Sequence, residues 1–269
     1  MKCFMLFLVV LLQCVVGYSN PLKKDKNIDV SAKWKLVWED DFNSSKLNSD
    51  NWNLVKRKRS DWAKHMTDDP RCYEIKDGSL ILKGVVNTDV KKDSREVLTA
   101  GVHSRNKFSF LYGKIEVRAK LEYAKGAWPA IWMMPEKNSY GGWPRSGEID
   151  IMEHLNFDDI VYQTIHTEYA DVKKQKKSPP NHGTAKGHFD RFNVYGVEWY
   201  PNKLVFTLNG KETFVYPKLK DADSEQWPFD HPYYIILSQQ LGGKWVGKID
   251  SEDLPVQMYV DYVKVYQLK

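Results

Sequence analysis

Along most of the chain, apolar and polar residues change places at every second position. In Lys114-Ile115-Glu116-Val117-Arg118-Ala119-Lys120-Leu121 the alternation is strict, so an extended segment there has one buried and one wetted face. The same period, in stretches rich in Val, Ile, Phe, Tyr and Trp and bounded by turn residues, predicts strands. They fall at Trp34–Glu39, Ser79–Leu82, Gly113–Leu121, Ile131–Met134, Glu148–Glu153, Val161–Thr167, Asn193–Trp199, Leu204–Leu208, Tyr234–Gln239 and Gln257–Tyr266. Asn209-Gly210 joins Leu204–Leu208 to Lys211–Tyr216 as a tight hairpin, because this dipeptide accepts the two positive φ angles of a primed turn. No long amphipathic helical stretch and no internal repeat stands out. Asp171–Lys186 is polar and Lys-rich, contains Pro179-Pro180 and Gly183, and reads as a long surface loop. Two antiparallel sheets packed face to face fit this inventory, whereas a parallel sheet would need crossover helices.

The N-terminus departs from the pattern. Lys2, an apolar run from Phe4 to Val16 and the small Gly17 before Tyr18-Ser19-Asn20 predict an export signal over residues 1–20. A Lys-rich linker, 21–32, and a single catalytic-domain-sized body, 33–269, follow. The apolar run is shorter than the ~20 residues of a membrane span, and no later segment supplies one. An exported, secreted or cell-surface protein without a transmembrane segment is therefore expected. Cys14 falls where a lipoprotein carries its lipid, although Gln13 fits poorly as the preceding residue, so a lipid anchor at Cys14 stays open beside free secretion. Cys3 and Cys14 leave only Cys72 in the body, which excludes a disulfide framework and makes Cys72 a buried apolar residue.

The formal charge of +5 is too dilute to indicate nucleic acid. The run Lys56-Arg57-Lys58-Arg59 reads as a solvated edge or loop. Aromatic content is the outlying number: 13%, with 10 Trp and 15 Tyr, is more flat ring than a core requires. Exposed rings beside polar side chains suit pyranose sugars, whose C–H faces are apolar and whose edges are not. A monomer with a polysaccharide substrate is the expected form.

Gly147-Glu148-Ile149-Asp150-Ile151-Met152-Glu153 concentrates three carboxylates in one strand-like stretch. In a regular strand 148 and 150 point one way and 153 the other. A single bulge near Ile151–Met152 resets the alternation and returns Glu153 to the face of the first two. Their Cα atoms then stand roughly 13 Å apart, and inclined side chains bring the carboxyls to about 5 Å, the spacing of retaining glycosidases. Read alone, the pattern also fits a solvated acidic face or, more weakly, a metal cage. The apolar Ile149, Ile151 and Met152 argue against the first, and the absence of a coordinating turn against the second.

These residues resemble the signature of the family 16 glycoside hydrolases, the laminarinase-like and mixed-linkage β-glucanases. Further matches are Trp38-Glu39-Asp40-Asp41-Phe42, Tyr112–Lys120, Gly126-Ala127-Trp128-Pro129-Ala130-Ile131-Trp132-Met133, Gly142-Trp143-Pro144, Tyr195–Trp199, Gly242-Gly243-Lys244-Trp245 and Val260–Tyr266. The resemblance implies an all-β, concanavalin-like jelly-roll sandwich with a substrate cleft. It implies Glu148 as nucleophile, Glu153 as general acid/base and Asp150 as the supporting carboxylate, with Trp128, Trp132, Trp143, His166, Trp245 and Arg105 as sugar contacts. No cofactor is required, and a structural calcium is implied near Asp261, Asp40 and the carbonyl of Gly78. The activity implied is retaining endo-hydrolysis of β-1,3- or mixed-linkage β-1,3/1,4-glucan. Alternatives are a galactan such as agar as substrate, or a non-catalytic glucan-recognition protein. Ser238-Gln239-Gln240-Leu241 and Arg145-Ser146 depart from the usual pattern and leave the substrate open. With these roles, Glu153 is expected to titrate above the reference ~4.3 and Glu148 below Glu153.

Overall fold

The computed structural model describes residues 33–269; the expected export signal, the linker and Cys14 lie outside the described residues. The body is built of strands β1 Trp34–Asp40, β2 Asn53–Leu54, β3 Tyr73–Lys76, β4 Ser79–Val86, β5 Val97–Thr99, β6 Gly101–His103, β7 Ser109–Phe110, β8 Gly113–Leu121 and β9 Ala127–Pro135. It continues with β10 Glu148–Glu153, β11 Ile160–His166, β12 His182–Lys186, β13 Asn193–Tyr200, β14 Lys203–Leu208, β15 Lys211–Pro217, β16 Tyr233–Leu241 and β17 Val256–Leu268.

These form two antiparallel sheets. One has nine strands in the order β15-β14-β13-β8-β17-β4-β3, with β1 beside β17 and β5 beside β4. The other has eight, β12-β11-β10-β9-β16-β6-β2, with β7 beside β16. Strand β8 shows why they pack: Ile115, Val117, Ala119 and Leu121 are fully buried while Lys114, Glu116, Arg118 and Lys120 are only partly so. From the opposite sheet, Ile131, Met133, Ile149, Ile151, Ile165, Ile235 and Leu237 meet them in one core. Full burial of each such side chain contributes about 1.5–3 kcal/mol. Strand β16 is buried at all nine positions, since its far face is the floor of a cleft.

The expected hairpin is present, with Asn209 at φ +53° and Gly210 at φ +76° between β14 and β15. Cys72 is buried and burial pushes its thiol up to about 12. The loop expected over Asp171–Lys186 is corrected in part. Its first residues belong to a single helical turn, Glu168–Val172, and its last five form edge strand β12 against β11. Only Ala185 of that strand is buried, so its sequence carries no apolar alternation. Among the described residues, no helix is long and apolar enough to cross a membrane.

Candidate active site

Strand β10 carries the carboxylates, and its irregularity aims them. Between Asp150 and Glu153 the pairing with β11 advances from Thr164 only to Tyr162, and the pairing with β9 slips between Asp150 and Met152. One extra residue is thus accommodated at Ile151–Met152, both of whose side chains are buried in the core. Asp150 and Glu153 consequently emerge on the side away from the core, together with Glu148, and line one cleft of about 290 Å³. Their partners on β11, His166 for Glu148 and Tyr162 for Glu153, are four residues apart, as the expected spacing of ~13 Å requires.

Gly147 sets the entry to the strand. Its φ is +80°, and a Cβ there would collide with the Tyr233 hydroxyl, which donates to the Ser146 carbonyl at 2.6 Å. The Ser146 hydroxyl in turn accepts from Tyr140 N and donates to the Gly141 carbonyl, closing the loop that presents Trp143.

Each outer glutamate accepts an indole hydrogen bond. Trp143 Nε1 donates to Glu148 Oε2 at 2.7 Å, and Trp128 Nε1 donates to Glu153 Oε1 at 2.9 Å. Trp143 is 57% exposed and Trp245 48%, so both present ring surface to solvent. Trp245 stands edge-on to Trp128 and Tyr162. Trp132 is buried and spends its N–H on Ser238 Oγ at 3.1 Å, so it forms the cleft floor. Ser238 Oγ also accepts from Gln240 Nε2 at 2.9 Å.

His166 lies between acids. Its Nε2 is 3.3 Å from Asp150 Oδ2 and its Nδ1 3.0 Å from Asp171 Oδ2. Burial alone would lower its pKa, but the two carboxylates and Glu148 outweigh that and raise it to about 11, so it is an imidazolium throughout the working range. Glu148, Asp150 and His166 each offer an atom within 4.8 Å of the others. With the histidine charged, the cluster is held together by ion pairs between the imidazolium and the acids.

All three cleft carboxyls titrate high. Burial is the first cause in each, raising Glu148 to about 8, Glu153 to about 7 and Asp150 to about 6. Glu148 does not stand apart as a low-titrating carboxyl: burial raises it together with Glu153 and Asp150. Glu148 borders the charge of Asp150, which raises it further, while the His166 imidazolium lowers both. Glu153 is held down by the Trp128 indole.

Trp128, Trp132, His166 and Trp245 line the cleft with the carboxylates, and Trp143 covers Glu148. Arg105 does not join them: it lies in an adjoining groove, over the Tyr234 ring. Of the residues at which a calcium is implied, Asp40 accepts from Asn51 Nδ2 and Trp52 Nε1, and Asp261 pairs with Arg118. Sequence reasoning missed Asp171, Trp62, Thr164 and the cleft position of Gln240. Asp171 had one readable signal: Thr167, four residues earlier, caps the turn that carries it.

Comparison with known proteins agrees with this geometry. Residues 37–264 match the sequence profile of the glycosyl hydrolases family 16. The chain belongs to this family. It is 41% identical over 240 residues to a keratan-sulfate endo-1,4-beta-galactosidase of Sphingobacterium multivorum, covering 88% of this chain and 56% of that protein. Thus it spans little more than half the length of that relative. It is 33% identical over 279 residues to a beta-glucanase of Rhodothermus marinus, covering 96% of this chain and 93% of the relative. The crystal structure of the laminarinase from Rhodothermus marinus superposes with a TM-score of 0.79 at 31% identity, over 88% of this chain and 98% of that one. The two-sheet sandwich is accordingly a family 16 jelly roll.

Proposed function

We propose that this family 16 hydrolase cuts β-linked polysaccharide internally with retention of configuration, using Glu148 as nucleophile and Glu153 as acid and then base. One observation supports the reading above others: the extra residue in β10 brings Glu148, Asp150 and Glu153 to one cleft, with an indole N–H on each glutamate. In the first step a Glu148 oxygen bonds to the anomeric carbon, the glycosidic C–O bond breaks, and the Glu153 proton goes to the departing oxygen. In the second, Glu153 takes a proton from water, whose oxygen bonds to that carbon as the Glu148 ester bond breaks. Glu148 attacks only when ionised, and the His166 imidazolium offsets its charge and that of Asp150.

The backbone in the first reading is β-1,3- or mixed-linkage β-1,3/1,4-glucan, supported by the beta-glucanase and the laminarinase fold. A second reading, a β-1,4-galactosidic linkage, is favoured by the higher identity to the keratan-sulfate galactosidase, 41% against 33%. Both use the same carboxylates.

Products from laminarin, barley β-glucan, lichenan, agarose and keratan sulfate test the proposal. The expected result is early release of mixed-length oligosaccharides from one polymer class, and a loss of about 10³-fold or more in Glu148→Ala and Glu153→Ala proteins that still fold. Near-wild-type turnover in either variant would overturn the assignment.

A further inference from the structure

A second groove, of opposite charge, continues the catalytic cleft. One cross-strand row joins them: Asp150 on β10 pairs with Trp132 on β9, Trp132 with Ile236 on β16, Ile236 with His103 on β6, and His103 with Asn53 on β2. At about 4.8 Å per strand the row runs about 19 Å from the catalytic carboxylates to the sheet edge. Register partners share a face, and these side chains line first the cleft and then a groove of about 330 Å³. Trp62 belongs to both and stands edge-on to Trp132, ring centres 4.8 Å apart. A glycan held at Glu148 and Glu153 and crossing the strands in this direction enters the groove within a few sugar rings.

Charge reverses along that path. Three carboxylates line the cleft, whereas none of the groove-lining residues carries one, and Lys56, Lys58 and Arg105 stand around it. Lys58 Nζ lies 5.4 Å from the centre of the Trp62 ring and the Arg105 guanidinium 5.6 Å from that of Tyr234. Arg57, within the same basic run, is committed to Asp93; among the described residues, Lys56, Lys58 and Arg105 have no carboxylate partner. Burial, with Lys58 and Arg105 adding to it, holds His103 at about 4, hence neutral at working pH. Glu136 stands beside Arg105, its Oε1 accepting from Asn106 N and its carbonyl from Arg105; Lys56 and Lys58 repel one another, and an anion between them relieves the repulsion through charge-assisted hydrogen bonds.

We infer that this groove is a subsite for an anionic substituent of the glycan, a sulfate ester or a carboxylate on a sugar a few rings from the bond that is cut. Trp62 offers ring surface to the sugar, and Lys56, Lys58 and Arg105 take the anion. The inference rests on the reading that the cleft binds a glycan. An unsubstituted β-glucan offers no such group, so the groove also bears on which backbone is used.

Binding to the Glu153→Gln protein tests it, with polymers matched in backbone: laminarin, its sulfate ester and its carboxylated form, and keratan sulfate with its desulfated form. At low salt at least one charged member of a set should bind about tenfold tighter than its neutral counterpart, with the sulfate and carboxylate arms showing which anion is preferred. Adding Lys56→Ser/Lys58→Ser, both exposed positions, should bring the charged polymer down towards the neutral one, while Lys218→Ser/Lys220→Ser elsewhere should not. Equal binding of charged and neutral polymers, or a preference that survives loss of Lys56 and Lys58, would overturn the subsite. Cleavage by the wild-type protein is scored separately: no cleavage, with the charge preference intact and lysine-dependent, would fault the roles of Glu148 and Glu153 and leave the subsite standing.

Discussion

His166 Nε2 faces Asp150 Oδ2 at 3.3 Å, across the strand from the carboxylate it offsets. The imidazolium lowers both Glu148 and Asp150 against the rise caused by burial. In His166→Gln that counter-charge is gone and both carboxyls hold their protons to higher pH. The acidic limb of kcat/KM should therefore move upward, with activity on that side falling about tenfold per pH unit of displacement. A limb that stays in place would show that His166 does not act on the nucleophile.

Stability should run against activity. Glu148 titrates near 8 when folded and at its ordinary 4.5 when unfolded, so the folded state binds more protons between those values. Its contribution is fully present below pH 4.5 and is lost as pH rises through 8. Glu148→Gln removes the charge that the cleft disfavours. The variant should melt higher than wild type at pH 8, by on the order of 1 kcal/mol or about 2–4 °C, with the gap closing below pH 4.5. Thermal melts across that range check the sign; a lower melting point at pH 8 would contradict it.

The bulge predicts the effect of a deletion. Removing Met152 leaves β10 without its extra residue, so the strand must send either Glu153 or the core-facing Ile149 to the wrong side. Activity should drop by about 10³-fold or more, and the lost core side chain should cost about 2–5 kcal/mol. Met152→Leu keeps the count and should retain activity. A deletion variant as active as Met152→Leu would refute the role of the bulge.

The bulge was readable because three carboxylates and three apolar residues in one strand cannot all be satisfied by strict alternation. The sandwich was readable for the same reason: the two-residue period of β8 and β17 admits one buried face. Strand β12 was not, since its exposed edge position leaves no apolar alternation at His182–Lys186. Asp171 was hidden with it, placed beside His166 by one helical turn within a segment that reads as a loop. The elevation of Glu148 was also beyond the sequence. It depends on burial in the cleft and on the neighbouring charge of Asp150, with an indole arriving from another segment to oppose them.

The central claim is that Glu148 attacks carbon directly, with Glu153 first giving and then taking a proton. The most direct test is proton NMR of the newly formed reducing end during the first moments of cleavage of whichever polymer the enzyme cuts. Two successive inversions at one carbon predict that the β-anomer appears first and that the α-anomer grows in only by mutarotation. An α-anomer present from the outset would mean a single displacement by water and would contradict Glu148 as nucleophile.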